Sequence, residues 1–280
     1  MIHADTFVQA VSLTVSDLER SLDFYQQAIG LQVHGREGHI VRLGVGGADL
    51  LELVGNQAAR PVPGSTGLYH FAILVPSRLH LAKSLYRLAE TNTPVSGFAD
   101  HWVSEAIYLD DPDGNGIEIY RDRPRQEWPI QDGRPNMTTA QLDLDGIMAQ
   151  LGGVRPNWQG LDPATFIGHI HLRVADIAQT DYFYRDLLGF DLVLHFGRQA
   201  TFLSAGGYHH HLGANTWESA GGQAAPAGAI GLRWYSLKLP NPDEVEKVAS
   251  RLQQARWPLE KQVAGVWVKD PSQNSLLLTS

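Results

Sequence analysis

Three consecutive histidines, His209, His210 and His211, are the residues of this sequence best suited to chemistry. They lie in a segment that otherwise reads as a β-hairpin, with an apolar strand at 200–204, a glycine pair, and a returning strand at 208–214. Imidazole titrates near neutral pH and is a common metal ligand. The segment is therefore a candidate for proton transfer or metal binding.

Strand geometry distributes these three imidazoles over two faces. Successive side chains of a strand alternate, so His209 and His211 share one face and His210 takes the other. At least one ring must then point into whatever the hairpin covers. A buried ring nitrogen without a partner costs roughly 1–3 kcal/mol, so an inward histidine implies a polar cavity, a metal or a substrate. The alternative is an exposed hairpin edge whose histidines have no chemical role.

The composition restricts the kind of site. The chain has 280 residues, of which 43% are hydrophobic and 19% charged, and it contains no cysteine. Disulfides, thiol catalysis and iron–sulfur sites are therefore excluded, and any metal must be held by His, Asp or Glu. The net charge of −8, without a basic cluster, argues against nucleic acid or an anionic membrane as partner. No apolar run is long enough to span a membrane and no signal peptide is evident, so we expect a cytoplasmic protein.

An internal repeat organises the elements around the histidines. Residues 13–18 match residues 172–177, and residues 111–115 match residues 270–274. Both matches have the same offset of 159 residues, which indicates duplicated units rather than chance similarity. Each unit reads as a strand, a helix and further strands.

Sequence signals also set the limits of the helices in these units. Ser16 and Glu19 predict a capping box before the first helix, and Gly30 predicts its left-handed end. Asp176 and Gln179 can play the same capping roles in the matching unit.

The chain therefore divides into four modules and a polar linker. The predicted modules cover about 7–56, 67–123, 165–217 and 229–280. The predicted domains are residues 1–123 with modules one and two, a linker at 124–164 with a short helix near 142–151, and residues 165–280 with modules three and four.

This pattern resembles the vicinal oxygen chelate superfamily of glyoxalase, bleomycin-resistance and extradiol dioxygenase proteins, over nearly the whole chain apart from the linker. The resemblance implies an α+β fold in which four βαβββ modules pair into two cup-shaped half-barrels. In that superfamily a pair of modules holds a metal, with ligands on the first and last strands of a module.

The resemblance implies a set of metal ligands. The first-strand position is His70 in module two and His169 in module three, and the last-strand position of module two is Glu118. The equivalent positions Ala10, Trp234 and Leu277 leave modules one and four without a ligand set, although Glu52 gives module one a single carboxylate. Two histidines and one carboxylate suit non-haem Fe(II), with Mn(II) as the alternative, and leave coordination positions open.

Four motifs are similar to the catechol 2,3-dioxygenase-like branch of the type I extradiol dioxygenases. They are Gly-Leu-Tyr-His-Phe-Ala at 67–72, Asp-Pro-Asp-Gly-Asn-Gly-Ile-Glu at 111–118, Gly-His-Ile-His-Leu at 168–172 and the triple histidine. The resemblance implies roles for Tyr108, ten residues before Glu118, and for His101, seventeen before it, in holding the substrate. If the chain folds back at the intervening turn, Tyr108 and Glu118 lie opposite each other, with Cβ atoms roughly 4.5–5.5 Å apart.

The same resemblance assigns a proton-transfer role to the hairpin. Aligning it with the Arg-His-His-Ser-Leu-Ala segment of biphenyl-type extradiol enzymes puts His210 at the acid–base position. A slip of one residue would bring His209 or His211 into the cup instead. His171, on the same face as His169, is a candidate to orient the ligand imidazoles or a simple packing residue.

One feature departs from the family. Extradiol enzymes of this type take the metal from their last two modules, whereas the ligands here fall in module two (67–123) and module three (165–217). We therefore expect these two modules to share one cup across the linker. The aromatic residues Phe98, Trp102, Phe196 and Trp217 are candidates either for its lining or for the core.

The resulting hypothesis is Fe(II)-dependent extradiol cleavage of a catechol-type aromatic with dioxygen, in aromatic hydrocarbon catabolism. One alternative is a glyoxalase-like lyase or isomerase, which usually keeps four protein ligands and would recruit His211. The other is a metal-free protein that binds a small aromatic molecule. Whether the chain forms a homo-oligomer is left open.

Overall fold

The computed structural model describes residues 1–280 and contains two eight-stranded sheets and one two-stranded ribbon. In chain order the strands are β1 (Phe7–Val15), β2 (Gln32–Glu37), β3 (Ile40–Gly44), β4 (Asp49–Gly55), β5 (Gly67–Leu74), β6 (Gly97–Asp100), β7 (Ser104–Asp110), β8 (Gly116–Asp122), β9 (Ile130–Gln131), β10 (Arg134–Pro135), β11 (Phe166–Arg173), β12 (Asp191–Phe196), β13 (Ala200–Ser204), β14 (Leu212–Asn215), β15 (Gly231–Lys238), β16 (Leu259–Gln262), β17 (Gly265–Lys269) and β18 (Ser275–Thr279).

Five α-helices connect or cover these strands. They are α1 (Leu18–Phe24), α2 (Arg78–Glu90), α3 (Leu144–Met148), α4 (Ile177–Asp181) and α5 (Pro242–Gln254). Helices α1 and α4 continue as wider π-helical turns over Tyr25–Ile29 and Tyr182–Leu187, and short 3-10 turns occupy Arg125–Glu127 and Ala149–Leu151. None of the helices combines the length and the apolar character needed to cross a membrane.

The two large sheets have the same topology. One has the order β16-β17-β18-β15-β1-β4-β3-β2 and the other β12-β13-β14-β11-β5-β8-β7-β6. Within each module the first strand runs parallel to the last, and two modules meet through antiparallel first strands, β1 with β15 and β5 with β11. The predicted α+β fold of four βαβββ modules in two half-barrels is confirmed. The first sheet joins modules one and four, and the second sheet joins modules two and three.

Alternation along the central strands separates a shared core from a second, more polar face. On β5, Phe71 and Ile73 are fully buried in the apolar core that both sheets share. Ala72 and Leu74, on the opposite face, form a separate small cluster with residues of β7 and β8. We call this opposite face of the second sheet the cavity face. Because side chains alternate with a period of two, His70 of β5 and Glu118, Tyr120 and Asp122 of β8 also lie on it. Leu68 packs in the shared core instead, because the pairing of β5 with β11 shifts register between Leu68 and His70.

The turn between β7 and β8 is held by a buried carboxylate. Asp111 accepts hydrogen bonds from the backbone N–H groups of Asp113 and Asn115, from the Asn115 side-chain amide, and from the Tyr25 hydroxyl. Asp270 forms the same pattern with Ser272, Asn274 and Tyr184 in module four, so the repeated motif is structural. It fixes the register in which β8 returns along β7.

Helix capping follows the prediction in one module and departs from it in the other. Asp176 caps α4 by accepting from the N–H of Gln179, as predicted. The capping box of Ser16 and Glu19 is wrong: Asp17 caps α1 instead, because the Ser16 hydroxyl is hydrogen-bonded to Asp113. Gly30 ends the helical segment with φ of 94°, as predicted.

The linker at 124–164 forms regular structure and contacts the second sheet. Its predicted helix forms as α3 and the following 3-10 turn, starting two residues later than expected because Asp143 is the N-cap. Further upstream, Ala140 makes an antiparallel bridge to Asp100 at the end of β6. The linker therefore packs against the rim of the second sheet, beside the cavity face.

Candidate metal centre

The three predicted ligands meet on the cavity face of the second sheet. His70 lies on β5, Glu118 on β8 and His169 on β11, and all three are buried. Ala72 is the backbone partner of both Glu118 and His169 across the two strand pairings. Its methyl group leaves space between the three longer side chains. The register and this small residue together bring the three functional groups to one point.

The distances within the cluster are those of a common binding site. Oε2 of Glu118 lies 3.1 Å from Nε2 of His70 and 3.0 Å from Nε2 of His169, and the two nitrogens are 3.4 Å apart. Two ligand bonds of about 2.1 Å at a right angle end about 3.0 Å apart, so these atoms are spaced like three neighbouring ligands of one ion. No further His, Asp or Glu joins the group. The donor set fits a metal with open coordination positions.

The protonation states of the cluster suit metal binding. Burial raises the pKa of Glu118, but the adjacent imidazoles of His169 and His70 outweigh it and hold the pKa well below its usual range. Burial lowers the pKa of His169 to about 4, although Glu118 opposes this shift. At neutral pH the site therefore offers an ionised carboxylate and a neutral imidazole. Nδ1 of His169 is buried without a hydrogen-bond partner.

A cavity of about 350 Å³ opens directly onto this cluster. His70 and Glu118 line it, His169 lies buried behind them, and the remaining walls are largely apolar. The apolar lining consists of Phe98, Ala99, Val103, Met137, Leu194, Phe196, Phe202 and Trp217. Three of the four predicted aromatic residues therefore lie in the wall, whereas Trp102 does not line the cavity.

A larger cleft of about 860 Å³ lies elsewhere, between the loops at 61–68 and 224–234. It contains none of the three clustered ligands. Size alone would favour this cleft as a binding site, but the smaller cavity combines apolar walls with converging functional groups, and we regard it as the candidate site.

Tyr108 and His101 form a hydrogen-bonded pair in the cavity wall. Tyr108 is the backbone partner of Glu118, which confirms the predicted pairing. Its hydroxyl lies 2.7 Å from Nε2 of His101, and Nδ1 of His101 lies 2.6 Å from the carbonyl oxygen of Thr138. The carbonyl can only accept, so Nδ1 of His101 is the donor, and Nε2 of a neutral ring accepts from Tyr108. Burial, followed by Glu118, raises the pKa of Tyr108 well above its usual value, so the phenol stays protonated.

The triple histidine is buried, but it does not lie in a strand. The prediction of a strand from residue 208 is wrong, because β14 begins only at Leu212 and the histidines occupy the loop before it. Side-chain hydrogen bonds override the local strand pattern: His209 contacts both Asp122 and His210, and His211 accepts from the N–H of Ala205. Of the three, only His210 lines the cavity. The expectation that at least one imidazole faces inward is therefore met.

His210 lies against the metal cluster. Its ring centre is 4.2 Å from that of His169, and its Nδ1 is 2.8 Å from Nδ1 of His209. Burial, then the neighbouring imidazoles of His169 and His209, lower the pKa of His210 well below its usual value. The ring is therefore uncharged at neutral pH, and one of its two nitrogens carries a free lone pair.

His211 and His171 bear on two alternatives raised by the sequence, a fourth metal ligand and a residue that orients the ligand imidazoles. His211 uses Nδ1 to accept from the N–H of Ala205 and stands outside the metal cluster. His171 lies in the cavity wall and packs edge-on against His70, at 5.0 Å between ring centres. Its Nε2 is 3.0 Å from the side-chain nitrogen of Asn215, so it contacts a ligand by packing rather than by a hydrogen bond.

Sequence reasoning did not identify two parts of the site. The linker contributes Met137, Thr138 and Thr139 to the cavity wall, and no motif in the linker signals this. Asp122, at the end of β8, is 3.0 Å from Nε2 of His209. Asp122 lies four residues after Glu118 on the same strand, so alternation puts it on the cavity face. This spacing is the sequence signal that could have identified it.

Comparison with known proteins gives consistent matches over most of the chain. Residues 7–119 and 166–275 match the family model described as Glyoxalase/Bleomycin resistance protein/Dioxygenase superfamily. The catechol-2,3-dioxygenase of Bacillus subtilis (strain 168) is 44% identical over 275 residues, which are 96% of this chain and 95% of that protein.

Solved structures add a likeness of fold. A protein of Bacillus subtilis named as a dioxygenase superposes with a TM-score of 0.63 at 14% identity, covering 97% of this chain and 84% of the other. Glyoxalase I from Zea mays superposes with a TM-score of 0.59 at 14% identity, covering 98% and 92%. At these identities the structures establish a common fold and nothing more about chemistry.

Proposed function

This chain belongs to the Glyoxalase/Bleomycin resistance protein/Dioxygenase superfamily, and we propose that it cleaves a catechol-type aromatic adjacent to its two hydroxyls, using Fe(II) and dioxygen. The relationship to the catechol dioxygenase branch, predicted from the motifs, is confirmed by the identity of 44% over 96% of the chain. The observation that carries the proposal is the convergence of a two-histidine, one-carboxylate cluster with Tyr108 and His210 on one cavity.

His70, Glu118 and His169 would hold the metal. Both nitrogens and the carboxylate oxygen face one point, and this donor set suits Fe(II), with Mn(II) as the alternative. When bound, the metal supplies the Lewis acidity and redox chemistry that reaction with dioxygen requires. The protein contributes a pre-formed triad, since the carboxylate is ionised and His169 is neutral before binding.

His210 is suited to act as general base and acid. It is neutral and lines the cavity beside the cluster, so its free ring nitrogen can take a proton from a substrate hydroxyl and return it later. The distance of 4.2 Å between its ring centre and that of His169 supports a proton transfer beside the proposed metal ligands. His210 is the only member of the triple histidine that reaches this cavity, which supports the predicted alignment.

Tyr108 and His101 are suited to orient the substrate. With His101 neutral, the Tyr108 hydroxyl donates to His101 and its oxygen is free to accept from a substrate hydroxyl. A protonated His101 would donate to Tyr108 instead, which would free the phenolic hydrogen for a substrate oxygen. In both states the pair presents a hydrogen-bonding group beside Glu118, at the end of the cavity where the hydroxyls of a catechol would lie.

The cavity walls support an aromatic substrate without charged substituents. No Lys, Arg or Asp lines the cavity, and Glu118 is its only charged lining residue. A ring would contact Phe202 and Trp217 while its hydroxyls face the histidines. A carboxylate on that ring would be buried without a partner, at considerable cost in free energy.

The glyoxalase-like alternative has less support. Lewis-acid enzymes of that kind usually keep four protein ligands, and the residue that could complete the set, His211, is engaged with the backbone of Ala205. The cluster remains at three ligands. A metal-free binding protein would gain nothing from an ionised carboxylate buried between two imidazoles.

The test is dioxygen uptake by protein reconstituted anaerobically with Fe(II), after addition of catechol and with detection of the yellow ring-opened product. Glu118→Gln should abolish uptake and metal retention. Glu52→Gln is the matched control, because Glu52 lies at the corresponding pairing of the first sheet, hydrogen-bonded to Ser12, and should leave both unchanged. Absence of uptake with catechol and with its methyl and aryl derivatives, in protein shown to hold one Fe(II), would favour the lyase alternative.

A further inference from the structure

We propose that Asp122 and His209 form a hydrogen-bonded relay that fixes the tautomer of His210, with the hydrogen on Nδ1 and a free lone pair on Nε2 directed to the substrate. The inference concerns two positioning residues and, for its catalytic consequence, rests on the proposed function. Neither residue lines the cavity, so neither would touch the substrate.

The relay is a continuous chain of three side chains. Oδ1 of Asp122 lies 3.0 Å from Nε2 of His209, and Nδ1 of His209 lies 2.8 Å from Nδ1 of His210. The remaining nitrogen of His210, Nε2, makes no hydrogen bond within the protein and is not sealed from solvent. Both contacts lie within the usual range for hydrogen bonds, so the chain connects Asp122 to the cavity.

The carboxylate of Asp122 sets the direction of both hydrogen bonds in the relay. An ionised carboxylate only accepts, so Nε2 of His209 must carry the hydrogen. A neutral imidazole has one hydrogen, so Nδ1 of His209 is an acceptor. Nδ1 of His210 must then donate to it, which leaves Nε2 of His210 without a hydrogen. That tautomer is the one a general base needs at the cavity.

The surrounding structure holds this chain in place. Asp122, Tyr120 and Glu118 are alternate residues of β8, so the carboxylate of the relay projects from the same face as the metal-binding carboxylate. His209 is fully buried, with its ring 4.0 Å from that of Tyr208 and 5.4 Å from that of Trp128. A ring buried this tightly cannot turn over to exchange its two nitrogens without repacking, so the polarity of the relay is built into the fold.

The relay also explains why a loop of three histidines is needed. The first ring transmits the orientation, the second faces the substrate, and the third supports the loop through the N–H of Ala205. When Nε2 of His210 takes a proton from a substrate hydroxyl, its Nδ1 hydrogen already points along a chain that ends in a carboxylate. The positive charge that develops on His210 is therefore directed toward Asp122.

The direct test is the tautomer of His210 in metal-free protein, measured by long-range ¹⁵N–¹H NMR and assigned by the signals lost in His210→Asn. We expect hydrogen on Nδ1 and none on Nε2 in the unaltered protein, and a substantial population of the opposite tautomer in Asp122→Ala. Glu127→Ala, which removes an exposed carboxylate five residues further on, should leave the His210 signals unchanged. Hydrogen on Nε2 in the unaltered protein, or no response to Asp122→Ala, would overturn the relay. This readout is independent of whether the protein cleaves catechols.

The kinetic test is a double-mutant cycle in the Fe(II) enzyme. Loss of the carboxylate that orients the histidine of a serine protease lowers kcat by about 10⁴-fold, and because the present chain is longer and Asp122 is partly exposed, we expect about 10–10²-fold for Asp122→Ala with little change in KM. His209→Phe keeps the ring packing, breaks both hydrogen bonds, and should cause a similar loss. The double variant should be no slower than His209→Phe alone. Losses that simply multiply would refute action through a common relay.

Discussion

His211 provides a quantitative prediction about acid stability. Its ring is buried, and its Nδ1 accepts a hydrogen bond of 3.1 Å from the backbone N–H of Ala205. Adding a proton at Nδ1 would make two donors, the ring N–H of His211 and the backbone N–H of Ala205, face each other inside the protein. Burial, followed by repulsion from His209 and His169, lowers the pKa of His211 to about 3. The native protein should therefore keep this ring neutral where the unfolded chain is already protonated.

The sign and size of the effect follow from linkage. Between the unfolded pKa of 6.5 and the native pKa of about 3, the unfolded chain binds a proton at this ring that the native protein does not. Stability conferred by this group is therefore fully present above pH 6.5 and is lost as the pH falls toward 3. At 1.36 kcal/mol per pKa unit the whole window corresponds to about 5 kcal/mol, of which about 3 kcal/mol is lost between pH 7.5 and pH 4.5.

The assay is chemical denaturation of metal-free protein at these two pH values. His211→Asn offers a side-chain carbonyl as acceptor for the Ala205 N–H and does not titrate, so its free energy of unfolding should fall by about 3 kcal/mol less than that of the unaltered protein. His39→Asn, at an exposed position, controls for loss of an imidazole in general. If the unaltered protein and His211→Asn lose the same free energy between the two pH values, the assignment of a buried neutral His211 is refuted.

Three further outcomes test the candidate site. Ala72→Leu should fill the space between Glu118 and His169 and weaken Mn(II) binding at least about tenfold by calorimetry, while circular dichroism stays unchanged. Tyr108→Phe should lower kcat by about 10²-fold without loss of bound Fe(II), because it removes one substrate hydrogen bond, and an unchanged kcat would contradict that role. For the apolar walls, 3,4-dihydroxybenzoate should be cleaved with a kcat/KM at least about 10²-fold below that of 4-methylcatechol, because its carboxylate finds no partner in the cavity.

The parts of the fold that the sequence predicts are those encoded by repetition and alternation. The offset of 159 residues locates equivalent strands, and the period of two then assigns His70 and Glu118 to the face opposite Phe71 and Ile117. The turn held by Asp111 fixes the return of β8, so the pairing of Tyr108 with Glu118 also follows from local chemistry. These inferences need only short-range geometry and one family comparison.

The features that the sequence does not predict depend on contacts between distant segments. The loop of Tyr208 to His211 reads as a strand, because the contact of His209 with Asp122, 87 residues away, cannot be recognised from local alternation. Ser16 is used by Asp113, 97 residues away, and so cannot cap its helix. In each case a hydrogen bond from elsewhere in the fold overrides a local preference, as expected for polar side chains with several ways to be satisfied.

The two half-barrels show why the topology alone does not determine where the chemistry lies. Both sheets pair parallel first and last strands around an antiparallel junction, yet the first sheet carries Ala10 and Leu277 where the second carries His169 and Glu118. Its one remaining carboxylate, Glu52, is bound by the Ser12 hydroxyl and faces no imidazole cluster. A metal centre needs three convergent donors, and a single carboxylate on an otherwise equivalent strand is satisfied as an ordinary polar residue. Function in this fold thus depends on which side chains occupy a few equivalent positions of the two half-barrels. Introducing two histidines beside Glu52 would test whether the backbone geometry of the first sheet is sufficient to bind a metal.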